Sequence, residues 1–473
     1  MMRAHSKYQV GKGHDYGVNL CKGCLEKQRE IDRLREEVHR LKTQLNQRQR
    51  KQQEGAFGSS TPSSLKPIKA NSDKETRAKM GGAKNGHPGH GRSACSAAEA
   101  DEIRRVKLSD RCPECGGQLG AASVRRRSVT DIEPVKVKRI CYELERRRCP
   151  ACRKSFQSQA PSVLPKAMLG NQLLSEIAGE HYLQGVPLSS IARRFDLNLG
   201  TTIEALHRLG RVFSPALKEL KEEYRQAPVR HADETGWRTD GHNGYSWLFC
   251  TDRLSLCLYR QTRSASVVRE VLGEKELGGV LVVDRYQGYN RVKCRIQYCY
   301  AHLLREVEDL RDEFNDDAEV EAFANTVIPL LADAMHLHGK ALSDEQYDKE
   351  AARIKQELER AMKAEARHLG IRAIQDLFVE KAARMYQWAS DRRVPADNNR
   401  AERELRPTVI ARKVSFGSQS EAGAKTRETL MSVLQTLKKR FKNPIQRFKR
   451  TLDELTSNGE LDVVKSVFSE DSG

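Results

Sequence analysis

The sequence predicts a multidomain protein with an α/β core, and three observations support this prediction. The chain has 473 residues, whereas single domains usually hold roughly 100–200. Strand-like and helical segments alternate between residues 226 and 420. Outside that region the sequence changes to helical periodicity, paired cysteines and clusters of basic side chains.

The composition favours a polyanionic partner. The chain has 83 Lys and Arg against 64 Asp and Glu, a net charge of +19 and an isoelectric point near 9.4, which suits nucleic acid or an anionic membrane surface. The start, MMRAHSKYQV, lacks the apolar segment of an export signal. No stretch approaches the ~18 apolar residues of a membrane span. We therefore expect a nucleic-acid partner, no membrane association and a cytoplasmic location.

Residues 1–54 are predicted to contain a short coiled coil. Apolar residues recur at spacings of 3, 4, 3 and 4 within the helix expected over 26–54; they are Ile31, Leu34, Val38, Leu41 and Leu45. This spacing is typical of a seam that pairs two helices. The alternative is an amphipathic helix lying on the body of the protein.

Residues 55–100 are predicted to form a flexible basic linker. The segment is rich in Ser, Pro, Lys and Gly and has almost no large apolar side chains. It cannot bury enough surface to offset the entropy of ordering it.

Two Cys-x-x-Cys pairs predict a zinc ribbon over residues 101–165. The four thiols belong to "CPECGG" and "CPAC"; they are Cys112, Cys115, Cys149 and Cys152. Such pairs on hairpin turns bring four thiolates into the tetrahedron that structural Zn²⁺ requires. The alternative is two redox-active pairs, although no thioredoxin-like βαβ pattern surrounds either one.

Residues 166–225 have helical periodicity and include a candidate helix-turn-helix, "PLSSIARRFDLNLGTTIEALHRL". That geometry would place the second helix in a DNA major groove. An ordinary helical pair has the same pattern. At the other end, residues 421–473 are predicted to be a basic helical segment.

The region 226–420 has the element order of a ribonuclease H-like fold. Three antiparallel strands are predicted in "VRHADETGWR", "YSWLFCTD" and "LSLCLYRQ", followed by a helix in "SASVVREVLGE". Two further strands follow, in "GGVLVV" and "RIQYCY", and then a helix. An almost wholly helical stretch over about 313–395 is predicted to be an insertion in this domain.

Three carboxylates in this region form a candidate metal site. Asp233 and Asp284 lie in or just after predicted strands, and a buried carboxylate is costly unless it binds something such as a divalent cation. Glu402 would complete the set from a helix beginning near Asn398, whereas Glu404 lies about 200° round that helix. Alternatively, Asn399 and Glu402 form a capping box. Two Mg²⁺ ions in such a triad suit in-line phosphoryl transfer.

Several motifs together resemble those of a known family. The segments "HADETGW", "VVDRYQGYN", "CYAHLLRE" and "DNNRAERELRP", followed by "RKVSFG", resemble signature segments of DDE transposases of the insertion sequence 66 family. The resemblance extends to the coiled coil, the Gly- and His-containing linker "GHPGHG" and the four-cysteine element. It implies that Asp233, Asp284 and Glu402 are the catalytic, Mg²⁺- or Mn²⁺-binding triad.

The resemblance also implies DNA contacts. His302 and Arg305 would contact phosphate, and Arg406, Arg412 and Lys413 would hold the strand near the metal ions. The alternatives are a satisfied buried histidine and a solvated basic helix face. The sequences "LKKRFKNPIQRFKR" and "HLLRE" depart from the family pattern, which leaves the contacts to the DNA ends open.

The function implied is that of a cut-and-join transposase in the bacterial cytoplasm, associated with the nucleoid. It would bind the terminal inverted repeats of its element, free 3′-hydroxyls and transfer them into double-stranded target DNA. Holding two ends requires a homo-oligomer, at least a dimer, and companion proteins encoded by the same element are a further expected partner. Two alternatives stay open: a zinc-containing DNA-binding regulator with an inactive core, and a nuclease on the same fold.

Overall fold

A computed structural model of the chain describes residues 30–31, 33–38, 40, 98, 102–103, 111, 113–118, 120–121 and 137–469. The chain divides into two compact units, one of residues 67–141 and the other of residues 1–66 with 142–473. Within the described ranges, no helix is both long and apolar enough to cross a bilayer.

The described residues between 30 and 40 are helical, as the sequence predicts. The seam residues Ile31, Leu34 and Val38 have exposed fractions of 41%, 48% and 51%, so their apolar surface is open to a partner. Leu41 and Leu45 lie outside the described residues, as does the linker 55–100 apart from residue 98. Pairing through this helix stays a prediction.

The cysteines of the predicted ribbon that the structure describes lie on or beside turns. In the smaller unit, an antiparallel bridge between Arg111 and Gln118 encloses "CPECGG"; Cys112 lies outside the described residues, and Cys115 is exposed. In the larger unit, strands β1 (Arg146–Arg148) and β2 (Ser155–Gln157) form a hairpin around "CPAC". Hydrogen bonds involving Cys152 lower the pKa of the Cys149 thiol, which favours the thiolate that a metal requires.

Between the β1–β2 hairpin and the main sheet lie four helices, namely α1 (Asn171–Tyr182), α2 (Leu188–Arg194), α3 (Leu199–Phe213) and α4 (Ala216–Gln226). The helix-turn-helix candidate corresponds to α2 and α3. The Asn198 side chain caps α3 by accepting the Gly200 N–H at 2.8 Å. Thr202 is fully buried and therefore faces the protein, while Thr201 at the same end is exposed.

A mixed five-stranded sheet follows, in the order β5-β4-β3-β6-β7. Its strands are β3 (Val229–Thr239), β4 (His242–Cys250), β5 (Ser255–Arg260), β6 (Val280–Val283) and β7 (Arg295–Tyr298). The pairings β3–β4 and β4–β5 are antiparallel, and β6 and β7 run parallel to β3. All five predicted strands are present.

Helices cover both faces of the sheet. Successive residues of β4 enter different cores, since Trp247 packs in one apolar cluster and Leu248 in the other. Helix α5 (Ala265–Leu272), a 3₁₀ helix (Gln287–Arg291) and α6 (Tyr300–Glu313) accompany β6 and β7. The stretch predicted to be helical then provides α7 (Ala318–Leu337), α8 (Asp344–Lys363), α9 (Leu369–Glu380), α10 (Ala382–Met385) and α11 (Gln387–Ser390).

The last helices are α12 (Asn399–Ser415), α13 (Glu421–Arg440), α14 (Pro444–Ser457) and α15 (Val463–Phe468). The sequence predicts residues 421–473 to be a basic helical segment, and the first helix of that segment, α13, packs along edge strand β5. Side chains of Ser432 and Thr436 accept the backbone N–H groups of Cys257 and Ser255 at 2.9 and 3.1 Å. Because these bonds occupy donors that an edge strand would otherwise expose, α13 protects the sheet from further pairing.

The chain leaves α12 through a tight turn fixed to β3. Phe416 has a φ of 60° and Gly417 a φ of 136°, both in the region that favours glycine. The Ser418 N–H donates to the Arg238 carbonyl at 2.9 Å. A Cβ added to Gly417 would lie 2.2 Å from that same carbonyl oxygen, so the turn requires glycine at this position.

Gly417→Ala should therefore destabilise the protein by at least about 2 kcal/mol, because it combines backbone strain with a clash against backbone atoms. Urea-induced unfolding followed by circular dichroism measures this loss. Gly278→Ala is the matched control, since nothing lies within 4 Å of a Cβ added there. Equal effects of the two changes would contradict the assignment.

Candidate active site

Asp233 and Asp284 lie side by side at the carboxyl ends of two parallel strands. His231 of β3 pairs with Val282 of β6, and the same register continued by two residues places Asp233 beside Asp284. Parallel strands are about 4.8 Å apart, and residues at one register position point to the same face. Two carboxylates that the sequence predicted to be neighbours are therefore brought together.

The electrostatics of Asp233 reflect this crowding. Burial raises the pKa of Asp233 well above its usual value, and the neighbouring charges of Glu234, Asp284 and Glu402 raise it further. One carboxylate oxygen accepts the Glu234 N–H at 2.9 Å, and Asp284 similarly accepts the Tyr286 N–H at 2.9 Å. Among residues 137–469, no Lys or Arg forms an ion pair with either aspartate. The two aspartates thus lack an ion-pair partner within the described residues, and the cations whose charges act on Asp284 are Arg263 and Arg285.

Helix α12 places Glu402 at this end of the sheet, and Asn398 at the helix N-cap fixes where α12 begins. The Asn398 side chain donates to the Ala232 carbonyl at 2.8 Å and contacts His231 Nδ1 at 2.9 Å. Its backbone N–H donates to Cys299 Sγ at 3.1 Å. The sequence predicted that the helix begins here, but the capping-box alternative is wrong: Asn399 is the first helical residue, and the N-cap makes no side-chain cap bond.

The tautomer of His231 follows from this contact. Burial lowers the pKa of His231 to about 3, so the ring is neutral. The amide nitrogen of Asn398 donates to the Ala232 carbonyl, so the amide oxygen of Asn398 faces the His231 ring. Because that oxygen can only accept a hydrogen bond, His231 Nδ1 must carry the proton. Neither His231 nor Asn398 was predicted as functional. The available signal was that His231 lies two residues before Asp233, which is one side-chain repeat of a strand.

His302 and Arg305, which were predicted to contact DNA phosphate, lie beside Glu402. Arg305 Nη2 is 3.3 Å from Glu402 Oε2, and His302 Nδ1 is 3.9 Å from Glu402 Oε1. Burial and the charge of Arg305 lower the pKa of His302, against the opposing influence of Glu402. The imidazole is therefore neutral near pH 7, and Arg305 carries the positive charge of the pair.

Glu234 is the acidic residue of this strand that does not join the triad. Consecutive strand residues point to opposite faces, and the Glu234 carboxylate accepts from Arg263 Nε and the Tyr289 hydroxyl, each at 2.7 Å. Its side chain is only 2% exposed. Local sequence patterns do not predict this cluster, because Arg263 and Tyr289 come from other elements.

Two charged residues of α12 serve packing within the protein. Glu404 forms an ion pair with Lys439 at 2.8 Å and accepts from Ser255 Oγ at 2.7 Å, so it faces away from Glu402, as predicted from helix geometry. Arg412 was predicted to bind DNA, but its guanidinium donates to the Gly236 carbonyl at 2.6 Å. The other two predicted DNA contacts on α12, Arg406 and Lys413, are exposed.

Comparison with known proteins identifies the family of this chain. A model of the "Transposase IS66 family" matches residues 166–426, which is more than half of the 473 residues. The chain belongs to the IS66 transposase family. The predicted family membership is thereby confirmed, and the IS66 match includes the sheet and the segments that carry the three acidic residues.

A curated relative of this IS66 chain is an uncharacterized protein of Sinorhizobium fredii (strain NBRC 101917 / NGR234), y4qI. It is 26% identical over 350 residues, which cover 66% of this chain and 64% of that protein. The aligned part of the chain thus spans a little under two thirds of the relative's length.

Asn398→Ala should destabilise the protein by about 2–3 kcal/mol, because it leaves the buried groups of His231 and Ala232 without a partner. Asn399→Ala, one position further along, should change the stability by less than about 0.5 kcal/mol. Urea unfolding of both variants measures the difference. Equal, small effects would show that the amide does not hold α12 to β3.

Asp233→Asn should stabilise the protein at neutral pH in Mg²⁺-free buffer. Since folding raises the pKa of Asp233, its favourable contribution is fully present below the unfolded-state pKa and is lost as pH rises through the folded-state pKa. The variant avoids that loss, which amounts to roughly 1.4 kcal/mol for each unit of pKa shift.

The measurement is urea unfolding of wild type and variant between pH 4 and pH 8. The variant's advantage should grow with pH and vanish towards pH 4. Asp240→Asn, in the exposed turn between β3 and β4, is the control and should show no such trend. A variant that is less stable than wild type at every pH would contradict the crowding of charge at Asp233.

Proposed function

We propose that this transposase cuts and joins DNA with Asp233, Asp284 and Glu402 as its metal-binding triad, on a ribonuclease H-like domain. The observation that supports this most strongly is the convergence of three carboxylates from β3, β6 and α12, two of which raise the pKa of the third. The strand order and directions of the sheet are those of the proposed fold. A DNA-binding regulator has no need of such costly convergence.

The donor set fits Mg²⁺ or Mn²⁺. Carboxylate oxygens are the ligands that these hard cations prefer, and a divalent cation would offset both the burial and the repulsion that raise the pKa of Asp233. When bound, the cations would activate a water or 3′-hydroxyl as nucleophile and stabilise the departing oxygen. Asp233 and Asp284 would hold them from the rigid sheet, and Glu402 from the first turn of α12.

Arg305 has two roles in this proposal. Without cations, it balances the charge of Glu402 at 3.3 Å. Once Glu402 turns towards the cations, the guanidinium, whose side chain is 55% exposed, is released to bind a DNA phosphate. The neutral His302 packs beside it and contributes a hydrogen-bonding ring nitrogen without adding charge.

The path proposed for DNA follows exposed basic residues. Arg406 and Lys413 on α12 would contact phosphates, whereas we assign Arg412 to the contact between α12 and β3. The exposed hairpin strand Arg146–Arg148 and the pair α2–α3 are the proposed contacts to the terminal repeats. Such contacts would make binding steeply dependent on salt.

We also propose that the protein acts as an oligomer. The exposed seam of the N-terminal helix would join two copies so that both element ends are held together. On their sequence pattern alone, the four ribbon cysteines are expected to bind one structural Zn²⁺. Companion proteins encoded by the same element would act with this chain.

The test is a joining assay with labelled element-end DNA, supercoiled target and Mg²⁺ or Mn²⁺. Wild type should give joined product, and Asp284→Asn and Glu402→Gln should reduce its rate by at least ~100-fold. Glu404→Gln is the matched control: it keeps joining activity, although losing its ion pair with Lys439 lowers the stability.

The other outcomes identify the alternatives. Cleavage without joining by wild type would indicate a nuclease. Salt-sensitive end binding that is identical in wild type and both triad variants, without cleavage even when the companion proteins are added, would indicate a regulator. Equal loss of activity in Glu404→Gln and Glu402→Gln would refute the division of the two glutamates between site and packing.

A further inference from the structure

Three side chains that commonly bind transition metals meet where β7 passes into α6. The sulfur of Cys299, a ring nitrogen of His302 and a carboxylate oxygen of Glu402 all lie within 4.8 Å of one another. Cys299 is the N-cap of α6, and His302 follows in its first turn. Glu402 comes from α12, which is held here because the Asn398 N–H donates to the same sulfur.

The three groups differ in their freedom to move. Cys299 is fully buried and fixed by the strand end, whereas the side chains of His302 and Glu402 are 35% and 29% exposed. His302 Nδ1 faces Glu402 and, among the residues that the structure describes, is a buried nitrogen without a hydrogen-bond partner. In the tautomer that carries its proton on Nε2, this nitrogen has a lone pair available for a ligand.

A thiolate, an imidazole and a carboxylate together are the donor set of a Zn²⁺ site, not of a Mg²⁺ site, which requires oxygen ligands. Zinc bonds of about 2.0–2.3 Å place tetrahedral ligands roughly 3.3–3.8 Å apart. The present separations of up to 4.8 Å therefore need to close by about 1 Å. Rotation of the partly exposed side chains of His302 and Glu402 would supply that movement, and one coordination position would stay open to water.

We propose that Cys299, His302 and Glu402 bind one Zn²⁺ ion, with release of the thiol proton to solvent. We propose further, and this part rests on the proposed function, that the ion inhibits DNA joining. Glu402 has one carboxylate, and turning it towards Cys299 withdraws it from Asp233 and Asp284. Zinc and the catalytic cations would then compete for the same side chain.

The direct test counts zinc bound to the full-length protein by equilibrium dialysis and elemental analysis at micromolar free Zn²⁺. Wild type should bind one ion more per chain than Cys299→Ser, whose hydroxyl still accepts the Asn398 N–H but is a poor zinc ligand. His302→Gln is a second variant with a partly exposed side chain and should lose the same ion. Cys257→Ser, at a buried thiol of β5, is the control and should keep the wild-type count.

Equal zinc counts in wild type, Cys299→Ser and His302→Gln would overturn the site. Loss of the ion in these two variants but not in Cys257→Ser would support it. Asp233→Asn should also keep the ion, because Asp233 is no ligand of this site; its loss there would overturn the assignment of ligands.

The joining assay tests the competition. The zinc concentration that halves joining, relative to each protein's own zinc-free rate, should be at least tenfold higher for Cys299→Ser than for wild type, and excess Mg²⁺ should relieve the inhibition. An unchanged concentration would overturn the inhibitory role while the binding count stands. If wild type binds the extra ion yet never joins DNA, the site is supported and the proposed function alone fails.

Discussion

The buried amide of Asn398 connects parts of the chain that are remote in sequence, and the geometry of the acidic cluster depends on it. It holds the start of α12 to β3 through His231 and Ala232, while its backbone bonds the end of β7 at Cys299. Glu402 follows four residues later, about 6 Å along the helix axis. The sheet therefore determines where the backbone of Glu402 lies relative to Asp233.

The rigid attachment of α12 to the sheet keeps the acidic side chains together against their repulsion. Carboxylates held close together repel one another, and only a frame stabilised elsewhere keeps them so. The sheet supplies this frame, because apolar clusters cover both faces and α13 occupies the free edge of β5. Packing interactions that take no direct part in the chemistry therefore offset the electrostatic free-energy cost of the acidic cluster.

Local patterns predicted most of the sheet and the division between Glu402 and Glu404. Strand alternation and the 100° turn per helical residue are properties of the backbone, so they are readable from neighbours in sequence. The role of α13 could not be read from sequence neighbours, because its basic residues pair with residues far away in the chain. Lys439 pairs with Glu404, and Arg440 with Glu223. The same holds for Arg412 and for Asn398, whose partners on β3 no spacing rule identifies.

The helices α7–α11 separate the two halves of the acidic cluster along the chain, and this has a consequence for biosynthesis. The hydrogen bond from His231 to Asn398 spans 167 positions. Helix α12 packs on a sheet whose edge strand is covered by α13, which is synthesised later. When β3 and β6 have emerged from the ribosome, the growing chain contains Asp233 and Asp284 but not yet Glu402. The complete cluster assembles after most of the protein has been synthesised, so unfinished chains lack the third carboxylate.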